Sequence, residues 1–413
     1  MNMGCEKKNI LITGISGFVG SLMARELIDR GANVFGLVRR RCDGIIPHNI
    51  KRQKIERGIN LIEGDLESIS SLGNAISISN PDMIFHFGAQ SFIPRSFSDP
   101  LETMGTNCCG TANLLEAIRL KDADPVVVFA GSSEEYGLVI SSEKQYEKAK
   151  SRYGSVFPEP VRIPEIPISE ENPLRPMSPY AVSKVYGDYL MRNYWHSYGI
   201  KTIVSRAFNH EGAGRGAMFV TSSITSQVMK LKFGEINHLS IGNVNAFRDW
   251  SHVSDIIEGY ITLGEKGEYG QVYNQGSERT NSVLSFLLLS LEGAGYEIKR
   301  INAFSGDKAV ADPLIKEDSL LFGMNFERTG IDDLMLREEL EYMPEDGGII
   351  VHTDKGEIKV NFDANRFRPA EVPILLSDAR KIRAIGCSIK SGLRDIISDQ
   401  LNYYLSGKDR RAA

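Results

Sequence analysis

Short apolar runs alternate with helical periods along the first half of the chain. The apolar runs, each expected to be a buried strand, are Ile10–Ile12, Val34–Val38, Leu61–Ile62, Met83–Phe87, Val126–Ala130 and Thr202–Ser205. Between most of them lie segments with apolar residues three and four positions apart, such as Phe18–Leu27 and Thr111–Ile118. Strand-helix-strand units with continuously apolar strands predict a parallel sheet covered on both faces by helices. The right-handed crossover rule makes this a doubly wound α/β sheet, the Rossmann fold.

The alternation lapses after about Ala207, where Gly-rich turns and longer loops take over. We therefore predict a first domain over residues 1–207 and a smaller C-terminal α/β lobe over 208–413, with the part near 243–260 returning to the first domain. Two stretches are interpreted as insertions, 139–165 and 326–362. In the second, GIIVHTDKGEIKVNF predicts a hairpin that turns at Asp354-Lys355-Gly356.

Composition excludes several classes of protein. The 413 residues are 42% hydrophobic, and 48 Lys and Arg against 53 Asp and Glu give a net charge of −5. Such a balance offers no basic stripe for nucleic acid, and no apolar run approaches the roughly 18–20 residues of a membrane span. Five cysteines form an odd set without metal-ligand spacing. We expect free thiols, no metal site and a cytoplasmic location.

A glycine-rich loop follows the first strand and opens a helix. The pattern G-x-x-G-x-x-G allows a sharp turn and lets backbone N–H groups approach a pyrophosphate at the helix N-terminus. Glycines alone can mark an ordinary turn, but a strand before them and a helix after them favour nucleotide binding. The expected cofactor contacts here are Gly14, Ser16, Gly17, Phe18, Val19 and Gly20.

The residue that ends the second strand predicts which dinucleotide binds. Proteins that prefer NAD place an acid there for the ribose hydroxyls, whereas this chain has Arg39, followed by Arg40 and Arg41. Guanidinium groups pair with a 2′-phosphate, so we expect NADP; an exposed basic loop is the alternative. Asp65 and Leu66 follow the third strand and are expected at the adenine.

Tyr180 and Lys184 lie four residues apart at the start of a predicted helix, on one face. A phenol with a pKa of about 10 is a poor base at neutral pH, but a lysine cation together with a nicotinamide charge favours the phenolate. Chance produces such pairs on exposed helices. Their combination with an upstream dinucleotide loop indicates hydride-transfer chemistry.

The fifth strand ends in a polar cluster, where ligands of open α/β sheets bind. Ser132 is expected to hold a substrate hydroxyl in line with Tyr180, and Glu134 adds an acid or base that simple alcohol oxidation does not need. The alternatives are that Ser132 and Ser133 cap a turn and that Glu134 or Glu135 is a solvated loop acid.

Six motifs now stand in order: TGISGFVG, GDLE, FGAQS, NCCGTANLLEA, SSEEYG and SPYAVSK. Together they resemble the extended short-chain dehydrogenase/reductase family of nucleotide-sugar epimerases and dehydratases. The resemblance implies a hydride-transfer triad of Ser132, Tyr180 and Lys184, with Glu134 at the position of the elimination base of 4,6-dehydratases. It also implies a cofactor contact at Gln90 and substrate contacts at Ser91 and Ser133.

Two segments of the second lobe resemble the GDP-mannose 4,6-dehydratase branch of that family: Asn209-His210-Glu211 with Arg215, and Arg248-Asp249-Trp250-Ser251-His252. The resemblance implies substrate contacts at Asn209, Glu211, Arg215 and Arg248, of which the arginines suit a diphosphate. Two arginines in a lobe of this kind can also be surface ion pairs. The chain departs from the branch at Ser132, usually Thr, and at Gly214-Arg215, usually two arginines.

These likenesses predict an NADP-dependent lyase that converts a GDP-hexose, most simply GDP-mannose, to the 4-keto-6-deoxy sugar. Residues 1–207 would bind NADP and residues 208–413 the nucleotide sugar. The resemblance further implies a homodimer or homotetramer. The rival hypotheses are an NADP-dependent 4-keto-sugar reductase, a nucleotide-sugar 4-epimerase, and a non-catalytic NADP sensor.

Overall fold

The computed structural model describes residues 4–40, 42, 44–317, 319–367 and 370–412. The strands are β1 (Asn9–Thr13), β2 (Asn33–Val38), β3 (Ile59–Glu63), β4 (Met83–His86), β5 (Val126–Ala130), β6 (Thr202–Ala207), β7 (Asn209–Glu211), β8 (His238–Ile241), β9 (Phe247–Arg248), β10 (Trp250–His252), β11 (Val272–Gln275), β12 (Asn281–Ser282), β13 (Ile298–Ala303), β14 (Ala309–Ala311), β15 (Lys316–Glu317), β16 (Arg328–Thr329), β17 (Gly348–Thr353) and β18 (Gly356–Phe362). The α-helices are α1 (Phe18–Asp29), α2 (His48–Gln53), α3 (Ile69–Ser79), α4 (Ile93–Ser98), α5 (Pro100–Met104), α6 (Gly110–Leu120), α7 (Glu143–Tyr153), α8 (Pro179–Tyr198), α9 (Val220–Lys232), α10 (Val253–Lys266), α11 (Val283–Gly293), α12 (Gly330–Leu336), α13 (Arg380–Ala384), α14 (Leu393–Tyr403) and α15 (Gly407–Ala412).

The central sheet has the strand order β11-β6-β5-β4-β1-β2-β3, and every neighbouring pair is parallel. Helices α1 and α10 bury Met23 and Ile256 on one face. Helices α3, α6 and α8 bury Leu72, Leu114 and Met191 on the other. The predicted doubly wound α/β fold is confirmed.

The seventh strand, β11, comes from beyond residue 207. After β10 the chain runs back through α10, which packs against β5 and β6, and then adds β11 beside β6 in parallel. Helix α10 and strand β11 thus follow residue 207 in the sequence but pack with the first domain. The division of the chain at residue 207 stays a prediction.

A second, five-stranded mixed sheet has the order β14-β13-β17-β18-β8. Its β17–β18 pair is the predicted hairpin, with Thr353 opposite Gly356. This hairpin lies in the middle of the sheet, so the stretch interpreted as an insertion supplies part of the second core, which α9, α11 and α14 share. Across the described residues, no helix has both the length and the apolar character needed to cross a membrane.

Candidate active site

The glycine loop between β1 and α1 forms a cradle without side chains. Gly14 has a φ of +74°, and a β-carbon added to it would lie 2.7 Å from the Gly88 backbone nitrogen. A β-carbon on Gly20 would lie 2.3 Å from the Gly14 carbonyl oxygen. Only glycine fits these positions, which leave the backbone N–H groups at the α1 N-terminus open to a ligand.

A cleft of about 1430 Å³ extends from this loop across the carboxyl ends of the sheet. Among the residues that line it are the predicted Gly14, Ser16, Gly17, Phe18, Val19, Gly20, Arg39, Arg40, Asp65, Leu66, Gln90, Ser91, Tyr180, Lys184 and Arg215. Its size and its mixture of backbone, aromatic and basic groups fit a dinucleotide with room beside it.

Tyr180 lies buried in the first turn of α8, whose start is fixed by the Ser178 side chain accepting the Ala181 N–H at 3.1 Å. Burial raises the pKa of Tyr180 to about 12, and a hydrogen bond with the Ser132 side chain opposes that rise. In the chain alone, desolvation of the phenolate outweighs its neighbours. The expectation that Lys184 together with a nicotinamide charge favours the phenolate stays a prediction.

Lys184 is buried one turn further along α8. Its Nζ donates to the Ala130 carbonyl at 2.7 Å and lies 4.9 Å from the Phe129 ring centroid and 5.8 Å from that of Tyr180. Burial lowers its pKa to about 8, while the charge of Glu135 opposes the shift. The ammonium thus sits between strand β5 and the Tyr180 ring, on the floor of the cleft.

Ser132, Ser133 and Glu134 form a tight turn after β5. The Ser132 hydroxyl accepts the Glu134 N–H at 3.2 Å, so the serine caps the turn as well as reaching Tyr180. Glu134 is only 8% exposed and Glu135 is fully buried, so the alternative of a solvated loop acid is wrong. The Glu134 carboxylate is near enough to contribute to the raised pKa of Tyr180.

A buried ion-pair network supports that turn, and sequence reasoning missed it. Glu135 accepts the Ser132 N–H at 2.8 Å. Its other carboxylate oxygen lies 3.2 Å from Arg206 Nε, which also lies 2.8 Å from Asp188 of α8. Burial and the Asp188 charge raise the pKa of Glu135, and Arg206 opposes this. The network fixes the Ser132 turn against the helix that carries Tyr180.

The second lobe places one predicted arginine at the cleft. Arg215 lies over the Phe219 ring at 3.7 Å, and its Nε is 3.5 Å from the Glu211 carboxylate. Glu211 also accepts from the Thr221 hydroxyl at 2.7 Å and is buried. Glu211, which the Thr221 hydroxyl holds in place, therefore positions the Arg215 guanidinium.

Arg248 is buried in β9, outside the residues that line the cleft. Its guanidinium donates to the carbonyls of Phe247 and Val372 and, at 3.0 Å, to Glu371. Asn209 pairs with Trp250 between β7 and β10, and its buried Oδ1 has no hydrogen-bond partner among the described residues. The substrate contacts assigned to these residues and to Ser133 stay predictions.

The basic loop after β2 lies at the opposite end of the cleft from Tyr180 along the sheet order. Arg39 and Arg40 are exposed and line the cleft, and Arg40 Nε lies 3.9 Å from Glu63. Arg41 falls outside the described residues. Asp65 accepts the Glu67 N–H at 3.0 Å, which shapes the turn after β3.

The fold and the cleft define a protein of the extended short-chain dehydrogenase/reductase type. The family model described as GDP-mannose 4,6 dehydratase matches residues 11–347. The chain is 32% identical over 390 residues to a GDP-mannose 4,6-dehydratase of Yersinia enterocolitica serotype O:8, covering 91% of this chain and 88% of that protein. The chain belongs to the GDP-mannose 4,6-dehydratase family.

Solved structures share the fold at lower identity. RMD from Pseudomonas aeruginosa, complexed with NADPH, is 21% identical with a TM-score of 0.64, over 96% of this chain and 99% of that one. UDP-glucose 4-epimerase from Thermotoga maritima, with UDP-glucose, is 20% identical with a TM-score of 0.66, over 96% and 98%. The first holds a nicotinamide dinucleotide and the second a nucleotide sugar.

Proposed function

We propose that this chain is a GDP-mannose 4,6-dehydratase, a lyase that yields GDP-4-dehydro-6-deoxy-mannose. The observation that carries the proposal is the buried Glu134 in the Ser132 turn, close enough to Tyr180 to act on its pKa. Family membership supports the reaction class. A 4-epimerization or a ketone reduction needs no second proton-transfer group at this position, whereas an elimination does.

We propose NADP as the cofactor. The glycine cradle, which a β-carbon would fill, suits the pyrophosphate, and Arg39 and Arg40 suit a 2′-phosphate. Asp65, Leu66 and Gln90 complete the contacts. When bound, the cofactor supplies a two-electron acceptor that takes a hydride from sugar C4 and returns it to C6.

The side chains of this chain move the protons. Tyr180 accepts the proton of the C4 hydroxyl, which Ser132 orients through its own hydroxyl. With a pKa of about 12 from burial, the phenol needs nearby positive charge to act as a base at neutral pH. Lys184, held by the Ala130 carbonyl, supplies that charge while it is protonated.

Glu134 takes the C5 proton once C4 is a ketone, because the ketone makes that proton acidic. Glu134 passes that proton to the C6 hydroxyl, which leaves as water. The C5–C6 double bond that remains would accept a hydride at C6 and a proton from solvent at C5, which completes the 4-keto-6-deoxy sugar. Ser91, Ser133, Asn209, Glu211, Arg215 and Arg248 are the proposed substrate-binding residues. Residues 1–207 are assigned to NADP and residues 208–413 to the nucleotide sugar.

The proposal includes a cytoplasmic homodimer or homotetramer. Helix α8 leaves Val182, Tyr186 and Tyr189 between 43% and 56% exposed along one side, which suits burial against a second copy. Free cysteines suit a reducing compartment. Light scattering at micromolar concentration should give a dimer or tetramer mass, and a monomer mass contradicts the assembly.

Incubation with a panel of nucleotide sugars and NADP⁺, followed by product analysis, tests the function. We expect GDP-mannose to be consumed with no net change in cofactor redox state. Consumption of NADPH with a supplied 4-keto sugar, without activity on GDP-mannose, would instead identify the reductase.

A further inference from the structure

Helix α2 connects the two sides of the cleft, although no motif pointed to it. Its Asn49 Nδ2 donates to the Ser16 carbonyl of the glycine loop at 2.9 Å. Three residues later, on the same helix face, the Arg52 guanidinium donates to the Ala213 carbonyl of the second lobe. Both residues line the cleft. The helix therefore brings a cation from the first domain to the segment that carries Arg215.

The Arg52 guanidinium occupies the space that a side chain at position 214 would take. A β-carbon built on Gly214 would lie 1.1 Å from Arg52 Nη1 and 1.9 Å from its Cζ. Gly214 has a φ of +77°, which also favours glycine. The missing side chain at 214 thus makes room for an arginine that comes from a distant part of the chain.

This arrangement puts two guanidinium groups on one short wall of the cleft. Arg215 is the residue after Gly214 and is held by Glu211 and the Phe219 ring. Arg52 lies over the Tyr403 ring, 5.2 Å from its centroid. Two guanidinium groups that line the same wall make the potential there more positive, which favours an anion. Two arginine forks match the oxygens of two linked phosphates.

We propose that Arg52, placed through the gap at Gly214, is the partner of Arg215 in binding the diphosphate of the substrate. This inference rests on the proposed function, since it takes a nucleoside diphosphate sugar as the ligand. The pyrophosphate of the cofactor has the same ligand chemistry as the diphosphate of the substrate. It is the competing ligand for Arg52, because Asn49 on the same helix contacts the glycine loop. The arms of the experiment separate the two.

Calorimetric titration of wild type and Arg52→Ala with GDP, GMP and NADP⁺ measures how much Arg52 contributes to binding the diphosphate. We expect GDP to bind about 10- to 100-fold more weakly, the usual worth of a charged hydrogen bond, with a smaller loss for GMP and none for NADP⁺. The matched control is Lys51→Ala, an exposed cation on the same helix, which should leave all three affinities unchanged. Equal losses for GDP and GMP, or a loss for NADP⁺ as large as that for GDP, would overturn the proposal.

Gly214→Ala provides a second test that leaves Arg52 in the chain. Its β-carbon displaces the guanidinium, so GDP should again bind more weakly, while in the Arg52→Ala background the same change should have little further effect. Additive losses would show that the two residues act separately and would refute the pairing. Melting temperatures check that each variant is folded.

A nucleotide panel keeps the two proposals distinguishable. Weak GDP binding beside tight UDP or dTDP binding would contradict the proposed substrate. The ratio of diphosphate to monophosphate affinity would still report on Arg52, because its contact is to phosphate and not to the base.

Discussion

Replacing Arg206 with Met should destabilise the protein by about 3–5 kcal/mol at pH 8. The Arg206 side chain is 4% exposed and lies against two carboxylates, Glu135 and Asp188, whose side chains are fully buried. Removing one partner of a buried ion pair leaves uncompensated charge, which costs that much. The substitution also removes the donor to the Tyr136 hydroxyl at 3.1 Å.

The free energy of unfolding that is lost on Arg206→Met should increase with pH. Burial already raises the pKa of Glu135, and Arg206 opposes that rise, so its removal raises the pKa further. The folded variant then holds a proton up to a higher pH than the wild type does, while the unfolded chains are alike. A carboxyl group whose folded-state pKa is raised contributes stability at low pH, and this stability is lost as pH rises through the folded-state pKa. The stability difference between wild type and Arg206→Met therefore grows with pH, by up to about 1.4 kcal/mol per pH unit for one proton.

Urea unfolding of wild type and Arg206→Met at pH 6 and pH 9 measures both effects. The matched control is Arg192→Met, which also removes an ion pair with Asp188, at 2.6 Å, but from a side chain that is 29% exposed. It should cost clearly less than Arg206→Met, because Asp188 keeps its ion pair with Arg206. A deficit below 1 kcal/mol for Arg206→Met, or the same deficit at both pH values, would refute the reasoning.

Three further outcomes are expected. Glu134→Gln should keep the fold and cofactor binding but lower turnover of GDP-mannose about 10²–10⁴-fold, and solvent deuterium should hardly enter C5 of its product. Tyr180→Phe should instead stop the reaction before any reduced cofactor appears. Turnover by Glu134→Gln at the wild-type rate would contradict the proposed role of Glu134. Arg39→Ala should weaken NADP more than NAD in a titration of both, and an unchanged preference contradicts the assignment of the 2′-phosphate site. Burial lowers the pKa of His86 to about 3. Between pH 3 and about pH 6.5 the unfolded chain therefore binds a proton at His86 that the folded chain does not, and stability falls as pH is lowered. His86→Asn should reduce the stability lost between pH 7.5 and pH 5 by about 2 kcal/mol, and the same pH profile for wild type and variant in urea unfolding would contradict this.

The cofactor half of the cleft could be predicted because its determinants are local. The glycine loop, the end of β2 and the Tyr180–Lys184 spacing are each encoded within a few residues, and the carboxyl ends of parallel strands bring them together. The β17–β18 hairpin was predictable for the same reason, since alternation and a two-residue turn specify it locally.

The remaining features depend on contacts between distant residues. Arg52 reaches Ala213 across 161 positions, and Arg206 reaches Glu135 across 71. Strand β11 is short and ends in Asn274 and Gln275, so its period gives no strand signal. Side chains of this kind acquire their roles from packing, which single-sequence patterns do not encode.

Transfer of a label within the sugar tests the central proposal most directly. GDP-mannose carrying deuterium at C4 is incubated with the enzyme and NADP⁺, and the position of deuterium in the product is read by NMR. A 4,6-dehydratase with the proposed roles of Tyr180 and Glu134 predicts deuterium at C6 of a 4-keto-6-deoxy product. Deuterium returned to C4 of a hexose, or recovered only in the free reduced cofactor, would contradict it.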